Sequence, residues 1–232
     1  MNYGLIHAKS INTLMTFSIL ARDENTNEIG GAAATGSYCV GGWVLRGSLN
    51  AGLSASQGAS ASTLWGEQTL DFLKSGLNAE DAIDKVVNVD AGKEHRQLSC
   101  MTIDGDTFSF TGNQNINEYF HHAENNLVVA GNMLSSKKVI SEMVSYFKDS
   151  SGNLATRLVE TLKKGEEAGS DIRGLKSSSL LVLHENKPPL TLRIDSSDKP
   201  LEDLSSLLNK VTSGKYADWT KTVPTKNEPN KF

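Results

Sequence analysis

A threonine hydroxyl attacks an amide only when a base stands beside it to take its proton. Thr16 is placed to have one of its own. In the run Met15-Thr16-Phe17-Ser18-Ile19-Leu20-Ala21-Arg22-Asp23 it directly follows a methionine. If synthesis starts at Met15, or if the first fifteen residues are removed, Thr16 carries a free α-amine as well as its hydroxyl. An α-amine titrates near ~7.7–8, so part of it is unprotonated at neutral pH and takes the hydroxyl proton directly or through a water. Strand propensity explains the same tripeptide equally well, because threonine favours sheets.

The remaining chemistry-bearing side chains are sparse. Cys39 and Cys100 are the only cysteines, too few for a disulfide framework or a cysteine metal site, and both read as small buried apolar residues. His121-His122 are adjacent, so on a strand they point to opposite faces and chelate one ion poorly; they read as a solvent-facing turn pair. Gly41-Gly42 lacks both the Lys-Ser/Thr ending of a phosphate loop and the three-glycine spacing of a dinucleotide site. No carboxylate pair has spacing that argues for acid–base work. No metal and no organic cofactor are expected.

The elements that must position Thr16 follow from periodicity. Residues 15–23 alternate as a half-buried strand, and the polar turn 23–28 returns it into a second strand, 29–35, made of very small residues. A glycine-studded loop, 36–42, leads to a strand at 50–57. Helices are predicted from Ser62 or Thr63 to Gly76, and from Ala79 to Val89 with Asn78 as its cap. Asp104-Gly105 marks a hairpin between strands 98–103 and 107–111. A strand over 125–130 ending in Gly131-Asn132, helices over 135–147 and 154–168, strands over 178–184 and 190–195 and a helix over 201–211 complete the pattern. Grouped antiparallel hairpins with paired helices indicate an α+β fold of two facing sheets with helices outside.

Composition narrows the partners. At 232 residues the chain suits one domain over 15–211, with an N-terminal segment, 1–14, and a polar C-terminal tail, 212–232, expected to be mobile. Residues 1–14 read as an upstream start, a removed leader or a docking arm. A net charge of −4 without a basic stripe argues against nucleic acid and anionic membranes, and no apolar run is long enough to span a bilayer. A cytoplasmic location is expected.

Several segments, in order and spacing, resemble one family. They are residues 15–23, Ser56-Gln57, Leu73 to Ala82, Arg96-Gln97, Phe110-Thr111-Gly112, Gly131-Asn132-Met133-Leu134 and Ala168 to Gly174. From Met15 to about Val211 the chain resembles domain-of-unknown-function family one thousand and twenty-eight, a bacterial and archaeal group placed among N-terminal nucleophile (Ntn) hydrolase-like folds. The resemblance departs at Lys176, where the family motif has glutamine, and at Ser196-Ser197-Asp198, where it has Asp-Asp-His.

The resemblance implies a four-layer αββα sandwich and a Thr16 exposed once the methionine is removed. It implies Thr16 as nucleophile, with Asn132 and Gln57 as polar groups facing it, and Asp171 and Arg173 orienting the amine or holding a substrate carboxylate. Each also has a plain structural use: Asn132 in a turn, Gln57 closing a ladder end, Asp171 capping a loop beside Arg173. The expected activity is hydrolysis of a small amide or peptide-like substrate. The competing expectation is a non-catalytic binding or structural protein on the same fold, and a homo-oligomer is expected in either case. No aromatic cluster in the sequence supports a carbohydrate-binding module.

Overall fold

The computed structural model describes residues 16–116, 118–169 and 174–232. Two antiparallel sheets dominate it. In the larger, β1 (Thr16–Asp23) and β2 (Glu28–Thr35) form the central hairpin. The hairpin of β7 (Glu118–Glu124) and β8 (Leu127–Leu134) adds on the β1 side. That of β9 (Ser177–His184) and β10 (Lys187–Ile194) adds beside β2, giving the order β10-β9-β2-β1-β8-β7. The smaller sheet is a meander of β3 (Leu45–Ser48), β4 (Gly52–Gln57), β5 (Gln97–Thr102) and β6 (Thr107–Thr111).

Strand alternation builds three apolar layers. Phe17, Ile19 and Ala21 of β1 face α4 (Lys138–Asp149), α5 (Leu154–Gly169) and α6 (Pro200–Val211), where they meet Met143, Leu158 and Leu204. On the other face of the same hairpin, Leu20 and Ala33 meet Leu53, Ala55 and Met101 of the smaller sheet. The far face of that sheet, through Leu98 and Cys100, packs on α2 (Thr63–Lys74) and α3 (Ala79–Val87) through Trp65, Ile83 and Val86. The order across the molecule is helices, sheet, sheet, helices.

Local chemistry explains the element ends. Asn78 caps α3 with its side chain accepting from the Asp81 N–H, and Glu80 and Asp81 sit in the first turn where the helix dipole favours them. Gly105 turns the β5–β6 hairpin at φ +94°, and a Cβ there would lie 1.8 Å from Asn126 Oδ1. In β2 every residue is buried. A Cβ on Gly30 would lie 2.9 Å from both Leu158 Cδ1 and the Leu181 carbonyl, so the small strand admits α5 and its neighbour closely.

The structure differs from the sequence expectations in several places. Residues 36–44 contain a single helical turn, α1 (Val40–Trp43), and β3 follows it, too short and too polar to show period-two alternation. His121 and His122 lie on the edge strand β7 and not in a turn; no residue of that strand is fully buried, so it lacks an apolar face to mark it in the sequence. β10 starts at Lys187 and carries Pro188 and Pro189 within it, which an edge position and a register shift between Lys187 and Leu190 allow. The tail contains α7 (Gly214–Thr220), where Tyr216 and Trp219 pack ring to ring at 5.4 Å. Beyond it, Lys226 pairs with Glu185 and Asn227 with Asn186 on the β9–β10 turn.

Leu158 is wholly buried between α5 and β2. Leu158→Ala is expected to cost about 2–5 kcal/mol through lost transfer energy and a residual cavity. Urea unfolding monitored by circular dichroism measures it.

Candidate functional site

The layer between the sheets changes character at one end. On β1 the residues facing the smaller sheet are Leu20, Ser18 and then Thr16. Thr16 pairs in register with Thr35 of β2 on one side and Asn132 of β8 on the other, so all three side chains share that face. Opposite them, the alternation that points Leu53 and Ala55 of β4 inward also points Gln57 inward. The same parity that buries Met101 of β5 brings in Gln97. Apolar core gives way to two threonines and three carboxamides.

Gln97 fixes how these carboxamides are turned. Its Nε2 donates toward the Thr111 hydroxyl at 2.9 Å and toward the carbonyls of Phe120 and Gly131, each at 3.1 Å. Two carbonyls can only accept, so the amide nitrogen must face them and Oε1 must face the other way. There Gln97 Oε1 accepts from Gln57 Nε2 at 2.7 Å and from Asn132 Nδ2 at 3.3 Å. The carbonyl oxygens Gln57 Oε1 and Asn132 Oδ1 are thereby turned away from Gln97. Both are buried acceptors that meet no donor among the described residues. Thr16 Oγ1 lies 2.9 Å from Thr35 Oγ1.

A bulge in β8 shapes the same corner. Glu118 and Phe120 of β7 oppose Leu134 and Gly131, two steps against three, so one extra residue sits at Asn132–Met133. Met133 adopts φ 55°, a left-handed conformation uncommon for a side-chain-bearing residue. The bulge lets Asn132 enter the buried network while the next residue, Met133, also turns inward to line the cavity.

That cavity has a volume of about 660 Å³ and includes Thr16, Thr35 and Gln57 in its wall. Two loops frame it. The first, after β2, brings Ser37, Tyr38 and Val40, and Ser177 clamps it: its hydroxyl donates to the Ser37 carbonyl at 2.8 Å and accepts from the Val40 N–H at 3.0 Å. Cys39 takes φ 61° there, with its N–H on the Asp195 carbonyl. The second loop follows β4 and brings Ala59, Ser60 and Ala61. Ala59 N–H donates to Asn115 Oδ1, Ser60 N–H to the His95 carbonyl, and the Arg96 guanidinium holds the Ser60 carbonyl. Trp43, His95, Gln114 and Ile116 complete much of the wall.

Arg96 also donates to Asp90 Oδ2 at 2.8 Å and lies over the Trp65 ring. Burial raises the Asp90 carboxyl, but the Gly92 N–H and the Arg96 guanidinium outweigh it and hold the group below its ordinary 3.8. Cys100 is buried, which pushes its thiol up to about 12 and leaves it inert as a nucleophile. Cys39 is exposed, contrary to the expectation from sequence, because the left-handed turn at 39 lifts it off the core.

Of the sequence candidates, Thr16, Asn132 and Gln57 are brought together. Asp171 and Arg173 lie outside the described residues. Four contributors had no role assigned from sequence: Gln97, Thr35, Tyr38 and Trp43. A signal existed for Gln97, since it continues inward the parity of Met101 and Ser99 and is a polar residue where the pattern demands burial. His121 joins the network at its outer edge, its Nδ1 2.8 Å from Thr111 Oγ1, and burial together with His122 lowers its ring pKa.

With this geometry in view, the comparisons with known proteins converge. The profile of a family of unknown function, DUF1028, matches residues 16–204. The crystal structure of a DUF1028 protein from Silicibacter pomeroyi is similar, with a TM-score of 0.90 and 45% identity over 94% of this chain and 99% of that one. Among curated proteins none matches. No helix of the described residues is long and apolar enough to cross a membrane.

The site's polar contacts set two expected outcomes. Gln97→Leu strands two carbonyls and two amide donors, and each buried group left unpaired is expected to cost about 1–3 kcal/mol, measured by denaturant unfolding. Asp90 has a folded pKa below its unfolded value, so its contribution is present above the unfolded pKa and lost as pH falls through the folded one. Thermal unfolding monitored from about pH 5 to about pH 2 should therefore show an acid-dependent loss that Asp90→Asn makes shallower.

Proposed function

The chain belongs to the DUF1028 family, and from its geometry we propose that it is an amidohydrolase of the Ntn type, built on a four-layer αββα sandwich, with Thr16 as nucleophile. One observation carries the reading. The first residue of the central strand β1 is a threonine in the wall of the 660 Å³ cavity, beside two fully buried carboxamides whose oxygens meet no donor among the described residues. A free α-amine at Thr16 supplies N–H groups at that place, since Asn132 is its register partner and Gln57 lines the same wall.

The steps are set by the atoms available. Thr16 Oγ1, oriented by Thr35 at 2.9 Å, attacks the substrate carbonyl carbon while its proton passes to the α-amine. The carbonyl π pair moves onto oxygen. Gln57 Nε2 and Asn132 Nδ2 each carry a second hydrogen beyond the one donated to Gln97, and such donors stabilise a developing oxyanion. As the oxyanion collapses, the C–N bond breaks and the amine proton goes to the leaving nitrogen. Water, deprotonated by the same amine, then attacks the Thr16 ester; the acyl–Oγ1 bond breaks, the amine proton returns to Oγ1, and the carboxylic acid departs. While Met15 is joined to Thr16 this base does not exist, because a peptide nitrogen does not take a proton at neutral pH. Asp171 and Arg173 are proposed to orient the amine, on the family resemblance alone.

A substrate-independent test uses a β-lactone, which acylates an activated threonine. A chain beginning at Thr16 should be labelled on that residue, as read by peptide mass spectrometry. Thr16→Ser should keep the label and Thr16→Ala should lose it. The 1–232 chain with Met15 still attached should react at least about a hundredfold more slowly, the scale of a lost general base. An unlabelled Thr16-initiated chain would sink the nucleophile and leave a non-catalytic binding pocket.

A further inference from the structure

Beyond the reaction type, the cavity wall says what kind of molecule it suits. We propose that the pocket takes an uncharged carboxamide bearing a flat apolar group, the amide lying toward Thr16 and the apolar group against Trp43 and Tyr38. The two rings stand in the cavity wall yet are 53% and 62% exposed, so large apolar faces are open to solvent there. Val44, Ile116 and Met133 continue the apolar wall. A planar group stacking on such rings gains both area burial and the directional preference of π faces.

The polar part of the wall argues for neutrality. Toward the floor it offers Thr16, Thr35 and Gln57, and around the mouth Ser37, Ser60 and Gln114. Apart from the His95 imidazole, the polar side chains of the wall are hydroxyls and carboxamides, which donate to and accept from a neutral amide on equal terms. Among the described lining residues there is no Asp, Glu, Lys or Arg. A charge carried against these described residues would lose its hydration without meeting a carboxylate, ammonium or guanidinium among them, which is costly. An apolar wall with a few convergent polar groups and a volume of this size is the form of a small-molecule site. The proposal rests on the Thr16 reading only for the chemistry after binding.

The test therefore reads binding alone. The 232-residue chain carrying Thr16→Ala is titrated by calorimetry with three probes that share one body: N-acetylphenylalaninamide (neutral), N-acetylphenylalanine (a carboxylate) and phenylalaninamide (an ammonium). A fourth, N-acetylglucosamine, keeps the neutral amide on a polar body. The neutral aromatic amide should bind at least about tenfold more tightly than the other three, the scale of one unpaired or poorly packed group. Trp43→Ala, a change at an exposed side chain, should weaken it by a similar factor with the circular dichroism spectrum unchanged.

Tighter or equal binding of either charged probe would overturn neutrality, and equal binding of the sugar would overturn the apolar group. No detectable heat with the neutral probe, or no effect of Trp43→Ala, would overturn the proposal outright. None of these results bears on β-lactone labelling of Thr16, so a failed substrate class and a failed nucleophile remain distinguishable.

Discussion

The Gln97 amide is the joint on which this corner of the molecule depends. It sits at the start of β5 in the smaller sheet, but its hydrogen bonds reach Thr111 of β6, Phe120 of β7, and Gly131 and Asn132 of β8, as well as Gln57 of β4. One side chain thus ties the two sheets together where their apolar layer ends. In a buried setting such a network must be satisfied or it costs stability, so the orientation of each member is dictated by the others. The two carbonyls it meets can only accept, and that single chemical fact turns every amide around it. Two acceptor oxygens are left aimed away from the joint, at the end of the layer where Thr16 stands.

The layer itself needs the small residues of β2. A strand of Gly and Ala lets α5 press on one face and the smaller sheet on the other, which holds the sheets at the separation the polar corner needs. Where the close packing ends, backbone exceptions appear. Met133 and Cys39 both take left-handed conformations, one in the β8 bulge, where Met133 lines the cavity, and one in the clamped loop, between the lining residues Tyr38 and Val40. Such conformations persist only where surroundings over-determine them, here through Ser177 and the β7–β8 register shift.

Much of this was legible because strand parity is legible. The β1–β2 hairpin, the Asp104-Gly105 turn and the Asn78 cap each carry a local signal whose physics is confined to a few residues. Thr16, Gln57 and Asn132 could be singled out on the family resemblance, but their meeting depends on the stacking of two sheets, which no local window contains. Gln97 shows the limit well: its parity marks it as buried, yet its partners lie 14 to 40 residues away in sequence. Edge strands hid for the opposite reason. β7 has no fully buried residue, so His121-His122 looked like a turn, and the start of β10 at Lys187 was hidden by Pro188-Pro189. The two positions where the chain departs from the family motif, Lys176 and Ser196-Ser197-Asp198, also meet, since Lys176 Nζ pairs with Asp198. That pair is exposed and draws the lysine up and the carboxyl down; neither side chain is in the cavity wall, but Lys176 adjoins it, its N–H donating to the Thr35 carbonyl at 2.8 Å.

The position of Thr16 makes two demands on the same backbone nitrogen. As the first residue of β1 it must hold register between Thr35 and Asn132, flanked by strands on both sides. In the proposed chemistry, where it serves as the base, that nitrogen must be free of an acyl group. A chain that continues before Thr16 departs from the end of a central strand, one peptide bond from the cavity wall, so the bond that blocks the base also tethers the preceding segment at the cavity. Severing that one bond would release the amine and the tether together, while leaving the register of β1 to the ladders on either side. The fold can therefore be complete before the amine is free, and its assembly does not depend on the chemistry proposed for it.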